Sequence, residues 1–180
     1  IRAGAFRFTG KNKALLLWEA HILINRGKSE TARTLFNPEP KKFVMPPFEQ
    51  SRLEDAYDEV ELMGFPVTLS WFDMLQTRFR GDITASEMKG MTGRRVRMVG
   101  HLVTVKYIKT VKREWMNFGT FIDTGGEFFD TTHFPQSLVN WPFRGSGTYL
   151  IQGKIAEEFG YTTIEVEKMA RLPVLPDPRY

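Results

Sequence analysis

The chain has 180 residues, 42% of them hydrophobic and 26% charged, with a net charge of +4 and no cysteine. That composition fits one ordinary globular domain, or a small domain with an appendage, and it excludes disulfides, thiolate zinc centres and cysteine nucleophiles. The three histidines, His21, His101 and His133, are too scattered to suggest a histidine metal site, and no apolar run approaches the roughly 18–20 residues of a membrane span.

The chain opens Ile1-Arg2-Ala3-Gly4, without an initiator methionine or a signal-peptide layout, as expected of a piece of a longer protein. Residues 12–25 (NKALLLWEAHILIN) read as a helix, with Leu15, Trp18 and Ile22 at helical spacing and Gly27 as its stop. Residues 37–48 hold four prolines in twelve positions, which excludes a regular helix or a central strand and marks a linker. Ser51-Arg52-Leu53-Glu54 has the capping-box pattern before a second helix, which Gly64 and Pro66 end. Ser70-Trp71-Phe72-Asp73 repeats that pattern and predicts a further short helix to about Phe79.

After Gly93 the pattern changes to alternation rich in Val and Thr, the signature of strands. A long first strand, bent at Gly100, precedes WMNFGTFID, and the Thr124-Gly125-Gly126 turn leads into EFFDTTHF. PQSLVNWPF then suits a short helix, and a last hairpin turns at Phe159-Gly160. Three strands, a helix and two strands is the order of the OB-fold, a five-stranded Greek-key barrel. The expected architecture is α+β, mainly β. It divides into residues 1–36 (helical), 37–92 (linker and short helices), 93–175 (OB barrel) and 176–180 (tail).

Between Arg94 and Arg113 the chain carries seven basic residues and no acid. Lys106, Lys109, Lys112 and Arg113 fall at the loop between strands 1 and 2, which borders the ligand cleft of an OB-fold. There they would contact phosphates, or else guard a strand edge against aggregation. Alternation along strand 2 puts Met116, Phe118, Thr120 and Ile122 on the expected core face. Trp115, Asn117, Gly119 and Phe121 then share the opposite face. Trp115 and Phe121 are candidates to stack on bases, the alternative being burial beneath a loop, and Gly119 leaves room for close approach. Asp123 is expected to cap its turn, and Asp130 and His133 should face opposite ways. No catalytic or metal-binding constellation is expected.

Several short segments, in order along nearly the whole chain, resemble the C-terminal part of the bacterial DNA polymerase III alpha subunit, a C-family replicative polymerase. They are Ile1-Arg2-Ala3-Gly4-Ala5-Phe6, Leu15-Leu16-Leu17-Trp18-Glu19, Glu61-Leu62-Met63-Gly64-Phe65-Pro66 and Thr110 to Phe118. The last runs from Asp123-Thr124-Gly125-Gly126 to Phe134-Pro135.

The resemblance implies an OB domain that contacts single-stranded template DNA near the polymerase cleft, in the bacterial cytoplasm. It also implies that the catalytic palm and its magnesium-binding aspartates lie upstream, so this piece should be inactive alone and need no cofactor. Ala32-Arg33-Thr34-Leu35-Phe36 stands where the family carries a sliding-clamp motif. Leu35 and Phe36 match its apolar anchor, and Ala32 replaces its glutamine. Trp71-Phe72, where many members have His-Pro, points to a divergent branch. Two other readings are open: a module that docks the clamp or another replisome subunit, and an anticodon-binding type of OB domain.

Overall fold

The computed structural model describes residues 1–29, 49 and 51–180. The proline-rich segment 37–48 and the Leu35-Phe36 anchor lie outside the described residues. The chain divides into two compact units, residues 1–70 with 177–180, and residues 71–176.

In the first unit, α1 (Lys13–Ser29) runs through the expected stop at Gly27; a single glycine costs a helix only about 1 kcal/mol. The α2 helix (Arg52–Met63) starts at Ser51, whose hydroxyl accepts from the Leu53 amide at 3.2 Å, and ends at Gly64 in the left-handed region, φ 86°. The buried face of α2 is acidic: Asp55, Asp58 and Glu59 flank Ala56. Buried carboxylates persist only when paired, and cations from distant parts of the chain supply the pairing. Asp58 meets Lys13 at 2.6 Å, Arg2 at 2.8 Å and Arg179 at 2.7 Å. Glu59 accepts from the Val67 and Thr68 amides at 2.6 and 2.7 Å, from the Thr68 hydroxyl at 2.5 Å and from Arg7 at 2.5 Å. Burial alone would push the Glu59 carboxyl up. These donors outweigh it and hold the group down at about 2.

The second unit is a closed barrel of strands β1 (Arg95–Lys109), β2 (Trp115–Ile122), β3 (Phe128–His133), β4 (Thr148–Glu158) and β5 (Tyr161–Arg171). Around the barrel they run β1-β2-β3-β5-β4, with β3 and β5 parallel and the other pairs antiparallel. The α3 helix (Pro135–Asn140) lies in sequence between β3 and β4. This is the OB-fold, as the strand order in the sequence anticipates.

β1 serves both halves of the barrel. Residues Arg95 to His101 pair with β4, and His101 to Lys109 pair with β2. Gly100 sits at that switch because a Cβ there would stand 2.6 Å from Phe129 Cζ and 2.8 Å from Phe121 Cβ. Phe159 and Gly160 close the last hairpin with φ of 53° and 82°, the geometry of a tight two-residue turn. Phe121, Phe129, Tyr149, Ile151, Ile155 and Ile164 fill the interior, with Met88 and Met98.

Two sequence expectations are overturned here. Residues 71–79 do not form a helix beyond one turn: Leu75 pairs instead with Val174, and the Arg80 guanidinium donates to the Phe72 and Thr77 carbonyls at 2.6 Å. Tertiary pairing outcompetes the local helical signal. The faces of β2 are also reversed. Asn117, Gly119 and Phe121 point inward, while Met116, Phe118, Thr120 and Ile122 lie on the outer side. Alternation identifies two faces but not which of them is covered, and aromatic residues occur on both.

Candidate nucleic-acid interface

On the outer side of the barrel, residues of all five strands and Phe134 line a groove of about 650 Å³. Lys106 and Phe118 are cross-strand neighbours in it, with Met116 and Phe134 beside them. Phe118 is 36% exposed, so its ring is presented to solvent although alternation alone assigns it to the core. Asp130, Glu158 and Glu165 also line the groove. The groove's one cation, Lys106, stands on β1, while its acids stand on β3, β4 and β5.

The β1–β2 hairpin presents the remaining cations. Lys109, Lys112 and Arg113 are all exposed. The hairpin loop is closed by Thr110 N–H donating to Glu114 O at 2.9 Å and Arg113 N–H donating to Thr110 O at 2.8 Å. Lys109 Nζ stands 4.8 Å from the centre of the Trp115 ring. Trp115 is 55% exposed.

Phe121 is not available. It is 0% exposed, stacked on Phe129 at 5.6 Å and edge-on to Tyr149 at 6.0 Å, so its stacking partners are core aromatics and its candidacy for base stacking is corrected. The space expected at Gly119 is also taken: a Cβ there would meet Phe121 Cε2 at 2.8 Å and Thr131 Oγ1 at 2.9 Å.

Asn117 is 6% exposed yet lines a second pocket, of about 370 Å³, with Tyr107, Trp115, Leu138, Pro142 and Phe143. Tyr107 pairs with Asn117 across the hairpin and is 61% exposed. Sequence reasoning missed Tyr107, Phe118 and Phe134. The alternation that pairs Tyr107 with the outer tip of β1 was a usable signal, whereas the exposure of Phe118 and Phe134 follows only from barrel closure.

Asp123 caps its turn as expected: Oδ1 accepts from the Gly125 and Glu127 amides at 2.8 and 2.9 Å, and Oδ2 from the Ala85 amide at 2.8 Å. Asp130 faces outward and His133 inward. Burial pushes both His133 and His101 down to about 4, Arg171 adding to the effect at His101. His101 is stacked beneath Trp71 at 4.5 Å and bonded to Thr148 Oγ1 at 3.0 Å, so its role is packing. No group of three or more acids and histidines able to hold a metal occurs among the described residues. None of the described helices is long and apolar enough to cross a membrane.

No family model and no curated protein matches the chain. Among solved structures, the single-stranded DNA binding protein from Thermus aquaticus is similar at 15% identity and a TM-score of 0.41, over 46% of this chain and 41% of that one. The N-terminal domain of PriB from Thermoanaerobacter tencongensis is 13% identical with a TM-score of 0.37, over 44% of this chain and 96% of that one. A mitochondrial single-stranded DNA binding protein from S. cerevisiae is 11% identical with a TM-score of 0.37, over 47% and 98%. This chain spans about two fifths of the Thermus aquaticus protein's length. Likeness at this level bears on neither ligand nor partners, and the fold assignment rests on the strand order itself.

Proposed function

We propose that the barrel holds single-stranded DNA with little sequence preference. The observation that carries this reading is the β1–β2 hairpin, which combines four exposed cations (Lys106, Lys109, Lys112 and Arg113) with exposed rings at Tyr107, Trp115 and Phe118. Cations that follow a backbone, interleaved with stacking platforms, are what a strand without duplex partners requires. Exposed lysines alone would serve as edge protection, but edge protection calls for no solvent-facing aromatic rings beside them.

The setting we propose is the C-terminal, non-catalytic part of a C-family replicative polymerase. It is supported by the ordered motifs from Ile1-Arg2-Ala3-Gly4-Ala5-Phe6 to Phe134-Pro135. In that setting the barrel receives template near the cleft in the cytoplasm. Magnesium and catalysis belong to a palm domain outside this chain, and the sliding clamp is a partner approached through Leu35 and Phe36.

Fluorescence anisotropy with labelled oligonucleotides at two salt concentrations tests the binding claim. Binding is expected at low salt and should weaken steeply as salt rises, since each neutralised phosphate adds a unit of about 0.7 to the logarithmic slope. Charge reversal at Lys109, Lys112 and Arg113 should weaken binding more than reversal at Glu157 and Glu158. Absence of binding at low salt removes the reading.

A further inference from the structure

Two pockets of the barrel share Pro142 as a lining residue. The first, of about 370 Å³, is walled by the exposed rings of Tyr107 and Trp115 on the β1–β2 hairpin, where Lys109 stands over Trp115. The second, of about 250 Å³, lies where Trp141 and the residues after it meet the end of β5, and Arg144 and Arg171 line it. Neither lining includes an acid, whereas the outer groove carries three.

Both arginines are exposed, yet the backbone around them is held. The Arg144 amide donates to the Tyr149 hydroxyl at 2.9 Å, and that hydroxyl donates to the Gly145 carbonyl at 2.5 Å. Tyr149 belongs to the core, so the core fixes the backbone that carries Arg144. Arg171 Nη1 makes a long bond to the Arg144 carbonyl, at 3.5 Å. Its guanidinium lies against Gly147, where a Cβ would stand 2.5 Å from Nε. A residue with a side chain at 147 would displace it.

These two cations lack a counter-charge. On the same barrel Arg95 is paired with Glu167 at 2.9 Å and Arg97 with Asp82 at 2.8 Å. Arg144 and Arg171 form no ion pair with an acid among the described residues. Two guanidinium groups lining one cleft repel each other. An anion between them relieves that repulsion, and their planar N–H forks match the oxygens of a phosphate. The α3 helix spans six residues, so the partial negative charge at its C-terminal end is small beside two full positive charges.

We propose that Arg144 and Arg171 together bind a phosphate of the single strand, with Trp141, 38% exposed, as a stacking face beside it. The strand then runs from the β1–β2 hairpin past Pro142 to the end of β5. This rests on the single-stranded DNA reading above and lengthens its footprint. An acidic protein segment would also meet the charge. The rings of Tyr107, Trp115 and Trp141, set among Lys109, Arg144 and Arg171, match instead the alternation of bases and phosphates along a nucleic acid.

Anisotropy with oligo(dT) of about 5 and about 20 nucleotides tests the site, because one OB barrel covers about 4–16 nucleotides. On the longer oligonucleotide, Arg144→Gln/Arg171→Gln should weaken binding about 10-fold at low salt and reduce the logarithmic salt slope by about 0.7, the share of one phosphate. The shorter one, held by the hairpin, should bind this variant as tightly as the parent chain. Lys154→Gln/Lys168→Gln removes two exposed cations that line neither pocket and should change the slope less. Arg144→Gln alone leaves Arg171 packed on Gly147 and should shift the longer oligonucleotide in the same direction, so the test does not depend on how the double variant folds. An unchanged slope, a loss matched by the lysine control, or an equal loss on both oligonucleotides overturns the site while the single-stranded DNA function stands. If the parent chain binds neither oligonucleotide, the function and the site fall together.

Discussion

Gly100 and Gly153 both lie where a strand of the barrel passes close to other atoms, and the obstacles differ in kind. At Gly100 a Cβ would meet two phenylalanine rings, which can shift. At Gly153 it would run into the Glu165 backbone carbonyl and stand 2.6 Å from Ile164 Cγ2, beside the irregularity where β4 pairs with β5. Backbone in a paired strand yields less than a ring does. Gly100→Ala is expected to cost about 1–3 kcal/mol, the usual range for overpacking, and Gly153→Ala more. Denaturant unfolding of the two variants checks the order; equal losses would show that the ring cluster is as rigid as the ladder.

At the scale of the element, β2 is the strand whose two faces separate stability from binding. Phe121 is enclosed by Phe129, Phe143 and Tyr149, whereas Phe118 faces the outer groove across from Lys106. Phe121→Ala should therefore lose about 3–5 kcal/mol of stability. Phe118→Ala should leave the melting temperature nearly unchanged and weaken oligonucleotide binding by about 1–3 kcal/mol, the contribution of one stacked base. Unfolding curves and anisotropy on the same two variants test this, and the opposite pattern would restore the face assignment read from alternation. That assignment failed for a physical reason. A strand with aromatic residues at both parities has no inner side until the sheet closes, and closure depends on Tyr149 and Phe143, more than twenty residues away in the chain. Local signals that need no such partner were legible: Ser51 and Gly64 bounding α2, Asp123 capping its turn, and Phe159-Gly160 closing the last hairpin.

Over the whole molecule, buried ionisable groups make stability depend on pH in two windows that overlap only near pH 4. His101 and His133 stay neutral in the folded chain down to about 4, while the unfolded chain takes up their protons near 6.5. The unfolded state therefore binds more protons between these values. The stability of the barrel should fall as pH drops from about 6.5 to about 4, and no further from this source. Glu59 behaves as a paired carboxylate, down at about 2 against an ordinary 4.5, so its contribution is complete above 4.5 and is lost between there and 2. Urea unfolding at pH 7.5, 5 and 4 measures the first window. The slope should correspond to about one proton per histidine and lessen in His133→Gln; a flat profile would mean that neither imidazole is desolvated.

The sequence by itself determined the number and order of the strands, the turn residues and the basic charge around the β1–β2 turn. Each follows from alternation, turn chemistry or charge within a few neighbouring residues. Only the tertiary structure decided that Leu75 pairs with Val174 in place of a helix over 71–79, that Phe121 is core and Phe118 surface, and that Asn117 and His133 each bury an acceptor without a partner among the described residues. Those outcomes depend on contacts between segments far apart in the chain, and a buried polar atom is satisfied or left unpaired by what folds over it.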